Sequence, residues 1–345
     1  MASSTSSSDH AAARRPDGPW LTVVGAGALV ASLALGAWEL CFRAAGFVPH
    51  AIDSNERWAA ALQHGLEADR AVLWLGSSRI QQAIHMPTVQ QRLDDRVTVQ
   101  LGLTMGSPLP LLEFLADRTT FAGTAVAEVT PSFLFARPPR NAALLRDAGS
   151  VAWFAQQQRE QRRLTAPAYA PLEDKLSLTL QERLVTCSGD ATLAGLTQSL
   201  LAGDDLTPPF WWITRDRMQI LDYGGIDVPR FAARRAALHA AGTPRDAGEL
   251  VGLVANLRRW AAAIEERGGR VVLLRLPTQG GVRDVEAQRY PDDRYWDRLV
   301  QMFGGAALDG RAHAPLTSVR MTDGDHVDAE DAPAFTTALL DLLEL

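Results

Sequence analysis

A serine follows the first apolar run of the globular region at a position suited to a nucleophile. The run Ala71–Leu75 is followed by Gly76, Ser77 and Ser78, and residues 80–84 have the pattern of a helix start. A serine at a strand-to-helix turn presents its hydroxyl at the carboxyl edge of the sheet, where the first amides of the helix can stabilise an oxyanion. Because Gly-Ser-Ser is also an ordinary helix-cap composition, this segment alone indicates either a nucleophile or a cap.

An aspartate and a histidine three residues apart come near the other end of the chain. Residues 322–326 read Thr-Asp-Gly-Asp-His, just before an apolar segment with the pattern of a helix. Asp323 and His326 can meet on one side of a turn, where the carboxylate selects the imidazole tautomer whose free nitrogen accepts a serine proton. Together with Ser78, in a chain order that known hydrolases use, the pair predicts a catalytic triad. Taken alone, the pair fits equally well a turn in which Asp323 or Asp325 caps the last helix.

The sequence contains no complete metal-binding motif. Asp323, Asp325 and Asp328 resemble half of a calcium loop, but the glycine comes too early and no glutamate follows at the twelfth position. Cys41 and Cys187 lie in dissimilar surroundings, and neither has a second Cys or a His at zinc-ligand spacing. We therefore expect two free thiols, no metal site and no cofactor.

The two polar segments together resemble the SGNH (GDSL-type) hydrolase superfamily. The resemblance rests on Gly76-Ser77-Ser78 after the first strand and on Asp323-x-x-His326 near the carboxyl terminus, and it covers roughly residues 71–345. It implies that Ser78 is the nucleophile and that Asp323 and His326 are its supporting pair. Ser77 stands where an aspartate is common in the family, and the variant with two serines is similar to membrane-anchored DltD-type members.

The resemblance also implies where an oxyanion hole should lie. Besides the amide of Ser78, the family's second block supplies a glycine N–H, a place that Gly106 fits, with Gly102 as the alternative. The third block should offer an asparagine after the third strand, but this chain has Thr130 and Ser132 there. Losing one oxyanion donor can cost about 2.7 to 4 kcal/mol of transition-state stabilisation. We therefore expect either that Thr130 or Ser132 substitutes for the asparagine, or that the activity is weak or specialised.

Arg79 directly follows the expected nucleophile. One interpretation is a salt bridge on the first helix of the domain. The other is a cation at the mouth of the pocket that binds an acidic group of the substrate, since a guanidinium pairs well with carboxylates and phosphates. The sequence leaves both interpretations open.

The region from residue 71 onward alternates short apolar runs with helical stretches, the pattern of a parallel α/β sheet. The expected strands are Ala71–Leu75, Val97–Leu101, Thr124–Val129, Arg270–Leu276 and Leu316–Met321. Five such strands form a doubly wound, mainly parallel sheet, and the resemblance implies a flavodoxin-like SGNH fold.

A long connection separates the third and fourth expected strands. Over about residues 136–250 it must carry helices of its own, so we expect an inserted helical cap over the carboxyl edge of the sheet, where ligands of such folds bind. Arg159, Arg162 and Arg163 within it are expected on a solvated helix face, with anionic headgroups or glycans as the alternative partners.

An uncharged segment precedes the globular region. From Gly18 to Trp38 no residue is charged, and about 21 residues at roughly 1.5 Å each match a hydrocarbon core of roughly 30 Å. We expect a disordered cytoplasmic tail over residues 1–18, a transmembrane helix over 19–42 and an amphipathic connector over 43–70. The positive charges before the span favour a cytoplasmic tail and an extracytoplasmic globular domain on the cell membrane. A cleaved signal peptide is the alternative, although its apolar run usually has only about 7 to 15 residues.

The net charge of −6 argues against a nucleic-acid partner, which needs a concentrated basic face. The residues and the resemblance predict a serine esterase or O-acyltransferase acting on acyl esters of cell-surface glycans, beside a membrane-bound acyl donor protein. The main alternative is a catalytically silent scaffold subunit of a cell-envelope assembly, which the missing asparagine favours. A lipase-like protein that contacts the membrane through Trp211 and Trp212 is a third alternative.

Overall fold

The computed structural model of this chain describes residues 19–137, 149–152, 154–156, 170–188, 192, 201 and 210–345. The arginines 159, 162 and 163 and the expected tail over residues 1–18 lie outside the described residues.

The α-helices with complete bounds are α1 Trp20–Ala44, α2 Asn55–Glu67, α3 Ser78–Ala83, α4 Met86–Arg92, α5 Leu109–Arg118, α6 Pro131–Leu134, α7 Ala170–Arg183, α8 Val228–Ala240, α9 Ala247–Glu265, α10 Gly280–Arg289, α11 Trp296–Phe303, α12 Ala314–Thr317 and α13 Ala332–Leu343. Residues 149–152 and 154–156 are also helical. The strands are β1 Ala71–Leu75, β2 Val97–Gln100, β3 Thr124–Glu128, β4 Ala136–Arg137, β5 Trp211–Ile213, β6 Gln219–Leu221, β7 Thr243–Pro244, β8 Arg270–Arg275 and β9 Ala306–Asp309.

A five-stranded sheet forms the centre of the α/β domain. Its strand order is β2-β1-β3-β8-β9, and every neighbouring pair is parallel. The first four expected strands are confirmed, each within one residue of its expected bounds. All of β1 is buried, as expected for a central strand whose two faces are both covered.

The fifth expected strand, Leu316–Met321, is wrong. Pro315 lies in the first turn of α12 there, a position that favours a helix, and only the helix residue Leu316 is completely buried. The fifth strand is β9, which pairs with β8 and has four half-buried residues. An edge strand of this kind carries a weak apolar signal, which is why the sequence pattern missed it.

Side chains from the central strands point alternately into two apolar cores on opposite faces of the sheet. Leu73 and Leu75 of β1 belong to the core formed with α2, α5, α9 and α11, whereas Val72 and Trp74 belong to the core formed with α3, α4 and α13. Helices therefore cover both faces, and the carboxyl ends of the strands are left as the edge where side chains from several loops can meet.

α1 precedes the domain and is long and apolar enough to cross a membrane. It has 25 residues, a mean hydropathy of 1.8 in its most apolar window, and no buried residue in that window. At its carboxyl end, Glu39 accepts hydrogen bonds from the backbone N–H groups of Val185 and Thr186 at 2.9 and 3.0 Å. Cys41 is exposed and Cys187 is half-buried, and both are free thiols, as expected.

The described part of the long connection contains more than helices. Its two ends meet where β4 pairs with β7 in an antiparallel ladder, and α8 packs against α10. The hairpin of β5 and β6 was not expected, and it places Trp211 and Trp212 on a strand in which Trp211 is 41% exposed. The connection therefore carries both an unexpected hairpin and the helix α8, which approaches the carboxyl edge of the sheet.

Candidate active site

The chain turns sharply between β1 and α3. Gly76, at this turn, has a φ of 146°, and a Cβ there would lie 2.6 Å from both Cβ and Oε2 of Glu128, so only glycine fits. The Oγ of Ser77 accepts the backbone N–H of Arg79 and caps α3. Ser78, the first residue of α3, is thereby fixed at the carboxyl end of the central strand.

The expected triad residues lie in contact. Ser78 Oγ is 2.9 Å from His326 Nε2, and His326 Nδ1 is 2.7 Å from Asp323 Oδ2. Asp323 Oδ1 accepts the backbone N–H groups of Asp325 and His326, each at 2.9 Å. Gly324 makes this tight turn with a φ of 81°, and a Cβ there would lie 2.6 Å from a backbone oxygen. The three side chains have the connectivity of a nucleophile, a base and an orienting acid.

Ionisation of Asp323 determines the direction of these hydrogen bonds. Burial raises the pKa of Asp323, but the imidazole of His326 outweighs burial, so that the pKa lies below its ordinary value. The carboxylate therefore accepts the Nδ1–H, which leaves Nε2 free to accept the proton of Ser78. Arg235 Nε lies 3.7 Å from Asp323 Oδ2. Burial and the nearby Asp323 raise the pKa of Tyr223, which keeps its hydroxyl neutral.

The glycines expected in the oxyanion hole use their amides elsewhere. The N–H of Gly106 donates to the carbonyl of Leu103 at 2.7 Å, and the N–H of Gly102 donates to Gln100 Oε1 at 3.0 Å. Both bonds lie at or just after the end of β2. Neither amide is available to an oxyanion in this arrangement.

Thr130 and Ser132, the expected substitutes for the missing asparagine, also have partners. The Thr130 hydroxyl donates to Glu128 Oε1, whereas Ser132 Oγ lies 2.9 Å from His239 Nδ1. The amide of Ser78 is the remaining expected donor. As the first amide of a helix it has no acceptor within its own helix.

Arg79 is buried and does not line the described pocket, which favours the salt-bridge interpretation over the prediction that it binds substrate. Its side chain is 1% exposed, and its Nη2 donates to the carbonyls of residues 276 and 277, both at 3.0 Å. The guanidinium faces Asp325, Glu286 and Glu128 at 3.3, 3.6 and 3.8 Å. Despite burial, these carboxylates raise its pKa. It is a salt-bridged residue, as the other interpretation held, but its partners come from three other parts of the fold.

Several residues of the site were not expected from the sequence. They are Glu128 below the nucleophile turn, Tyr223 and Arg235 beside Asp323, and His239 and Glu286 near Asp325. Asp325 itself was considered only as a helix cap or a calcium ligand. A lone histidine in the otherwise apolar and basic segment 228–240 was the only signal for His239. None of these side chains stands at a spacing that links it to Ser78.

A pocket of about 600 Å³ lies near the triad, although Ser78, Asp323 and His326 are not among the described residues that line it. Arg235 connects the two, since it lines the pocket and contacts Asp323. The pocket lies between the loop after β2 and one side of α8, and the described residues that line it are Met105, Phe210, Phe231, Arg234, Arg235, Ala237 and Leu238. Its walls are mainly apolar, with two guanidinium groups.

Within the described residues, no three or more His, Cys, Asp or Glu side chains are grouped so as to hold a metal ion. Comparison with known protein families found no family model that matches this chain, and comparison with curated proteins found no match either. The chemistry of the site therefore has to be inferred from the residues themselves.

Proposed function

We propose that this chain is a serine esterase or O-acyltransferase of the SGNH type. The observation that carries the proposal is the line of hydrogen bonds from Ser78 Oγ through His326 to Asp323, at 2.9 and 2.7 Å. The strand order β2-β1-β3-β8-β9 supports a flavodoxin-like SGNH fold, in which the nucleophile follows the first strand. A sheet of this order with a serine, a histidine and a carboxylate at its carboxyl edge suits acyl transfer.

In the proposed reaction, Ser78 Oγ attacks the carbonyl carbon of an ester, and its proton passes to His326 Nε2. Collapse of the tetrahedral intermediate breaks the bond to the leaving alkoxide, which takes the proton from His326 and departs as an alcohol. A water molecule or a sugar hydroxyl then attacks the acyl-serine, again giving its proton to His326, and Ser78 leaves with that proton. The acceptor alone decides between hydrolysis and transfer.

The pocket beside the triad supports a substrate with an apolar part. Phe231 and Leu238 lie in its wall, and Arg235 stacks over the Phe231 ring at 5.1 Å from the ring centroid. An acyl chain or the apolar face of a sugar would bury area against these side chains, as ligands do in mainly apolar clefts. Arg234, also in the wall and exposed, would favour a substrate with a negative charge nearby.

The length and apolar composition of the N-terminal helix α1 support the proposal that the protein is anchored in a membrane by a single span. We propose that the α/β domain lies on the extracytoplasmic side and acts on acyl esters of cell-surface glycans, beside a membrane-bound acyl donor protein. Replacement of Ser318, which is exposed, by cysteine in a variant that lacks Cys41 and Cys187 would test the side. An impermeant maleimide should label this variant in intact cells, and labelling only after lysis would contradict the proposed side.

The direct test of the chemistry is acylation of the purified full chain in detergent. We expect an activated short-chain acyl ester to give a burst of leaving group and a mass adduct on Ser78. Ser78→Ala and His326→Ala should abolish the adduct, whereas Ser318→Ala, the loss of an exposed serine hydroxyl, should keep it. An adduct that survives in Ser78→Ala would refute the assignment of the nucleophile.

A catalytically silent scaffold subunit is the second candidate, and one observation favours it. The amides of Gly102 and Gly106 and the hydroxyl of Thr130, all expected near the oxyanion, are already hydrogen-bonded. A folded full chain that forms no adduct with several acyl chain lengths would favour the scaffold. A burst in the wild-type chain would exclude it.

A further inference from the structure

A second serine, histidine and aspartate lie in line beside the triad. Ser132 Oγ is 2.9 Å from His239 Nδ1, and His239 Nε2 is 3.1 Å from Asp325 Oδ2. All three side chains are buried, and the ring of Phe133 stacks on the imidazole with an interplanar angle of 13°. The imidazole of His239 is therefore held at both nitrogens and on one face.

Asp325 joins this second line to the triad. Its Oδ2 lies 3.9 Å from His326 Nε2, the nitrogen that contacts Ser78, and its Oδ1 lies 3.3 Å from Arg79 Nε. Asp323 contacts the other ring nitrogen of His326. The proposed base is thus flanked by two carboxylates, one at each nitrogen.

The surroundings of His239 and Asp325 are densely charged. His239 Nδ1 lies 3.7 Å from Glu286 Oε1, whose carboxylate also faces Arg79. The charged or titratable groups that face the two residues or their immediate partners are Arg79 on α3, Glu128 on β3, Tyr223 after β6, Arg235 on α8, Glu286 on α10, and Asp323 and His326 in the last loop.

The contact between His239 and Asp325 favours the charged form of each residue. Burial lowers the pKa of His239, but Asp325 and Glu286 outweigh burial and raise it above its ordinary value. Burial raises the pKa of Asp325, but His239, His326 and Arg79 outweigh burial and hold it well below its ordinary value. A protonated His239 presents its Nδ1–H to Ser132 Oγ, and its Nε2 lies in an ion-pair contact with Asp325 Oδ2.

We propose that His239 is a positioning residue, which pairs with Asp325 and so limits the negative charge that Asp325 places beside the proton-accepting nitrogen of His326. The inference rests on the proposed function, because it assigns a role in the same proton transfer. His239 acts through Asp325 and does not touch the reacting atoms. The helix α8 of the long connection is thereby part of the catalytic apparatus.

The sign of the effect follows from the charges. A bare carboxylate 3.9 Å from Nε2 would favour the protonated form of His326, which cannot accept a proton from Ser78. It would also repel the oxyanion that forms at the substrate carbonyl. The contacts that His239 and Arg79 make with Asp325 offset this carboxylate at Nε2.

Profiles of kcat/KM against pH for the full chain, with an activated acyl ester, test the inference. His239→Gln keeps a donor near Asp325 but removes the positive charge, so the acid limb should move to higher pH. Asp325→Asn removes the negative charge, so the acid limb should move to lower pH. We expect each shift to be about one pH unit, the lower end of what a charge within about 4–6 Å produces.

The control is His64→Gln, which changes an exposed histidine on α2 and should leave the profile unchanged. Adding His239→Gln to Asp325→Asn should shift the acid limb by less than half as much as His239→Gln shifts it in the wild-type chain, because Asp325, its partner, is then neutral. A merely structural role would lower the rate at every pH without moving the limb. Shifts of the same sign in both single variants, or no shift in folded variants, would overturn the inference.

A second measurement does not depend on turnover. Nitrogen-15 NMR of the histidine rings should show that His239 titrates above about 6.5, the value of a free imidazole, in the wild-type chain, and at lower pH in Asp325→Asn. If the wild-type chain shows this coupling but turns over no ester, the proposed function fails and the positioning role fails with it. If the wild-type chain turns over ester but His239 does not respond to Asp325→Asn, only the positioning role fails.

Discussion

The carboxylate of Asp323 holds both the backbone and the ring of His326. Its Oδ1 accepts the His326 N–H at 2.9 Å, and its Oδ2 contacts Nδ1 at 2.7 Å. One side chain therefore determines the position and the orientation of the imidazole within a turn of four residues. This local construction is why a spacing of three residues was enough to suggest the pair from sequence.

Replacing Asp323 by asparagine separates these two roles. The amide oxygen of Asp323→Asn can still accept the backbone N–H groups, but its NH₂ group facing Nδ1 selects the wrong tautomer of His326. We expect kcat to fall by about 10³- to 10⁴-fold and the melting temperature to fall modestly, because the carboxylate also stabilises the fold. Ester turnover and thermal unfolding measure the two effects, and Asp341→Asn on the exposed face of α13 is the matched control. A variant with near wild-type turnover would show that Asp323 only supports the turn.

Gly76 should be intolerant of any side chain. Its φ of 146° and the 2.6 Å approach of Glu128 mean that Gly76→Ala combines backbone strain with a clash. We expect the free energy of unfolding to fall by about 2 to 4 kcal/mol. Denaturant unfolding of the full chain in detergent provides the measurement. Gly225→Ala, where a Cβ meets nothing within 4 Å, should change the free energy by no more than about 0.5 kcal/mol.

The stability of the protein should decline on both sides of a plateau in pH. The lowered pKa values of Asp323 and Asp325 mean that their contribution is present above the ordinary value of 3.8 and is lost as the pH falls through the folded-state values. The raised pKa of His239 means that its contribution is complete below 6.5 and is lost as the pH rises through the folded-state value. Melting temperatures from pH 2 to 10 would trace both limbs.

The variant His239→Gln isolates the alkaline limb of this stability curve. In His239→Gln the loss of stability at alkaline pH should become smaller, while the loss of stability at acid pH should remain. In His64→Gln both losses of stability should remain. An unchanged alkaline decline in His239→Gln would assign it to another group.

The pocket beside the triad should control the size of the acyl group. Leu238→Trp places a large side chain in the pocket wall, so turnover of a long-chain ester should fall at least about tenfold relative to an acetyl ester. Leu180→Trp on α7, where Leu180 is 40% exposed, is the matched control. Equal loss on both esters would indicate that the pocket does not hold the acyl chain.

The parts of the fold that were predictable are those with local signals. The continuous apolar run of β1 and the glycine that follows it predicted a buried strand and a turn, and both are present. The strand β9 escaped because its residues are half-buried at the edge of the sheet, and the helix α12 was mistaken for a strand because Leu316 and Met321 are apolar. The apolar pattern of a sequence reflects which residues are buried, so it identifies elements poorly where their residues are only half-buried.

The candidate site divides in the same way. Ser78, Asp323 and His326 stood in recognisable spacings, whereas the position of His239 depends on how α8 packs against the sheet, which no short spacing records. The direction of the Arg79 side chain is also a tertiary property, because three carboxylates from different elements draw it inward. Short sequence spacings can suggest the reacting residues, but the charges around them depend on contacts between distant parts of the chain.

The distance along the chain between Ser78 and His326 has a consequence for biosynthesis. The two residues are 248 positions apart, and the contact between them closes across parallel strands. During synthesis the proposed nucleophile is made early, but its proposed base emerges only with the loop that precedes the last helix, α13. On the proposed mechanism, a nascent or truncated chain that lacks this loop has Ser78 without its base, and activity toward esters would appear only after the whole sheet has formed.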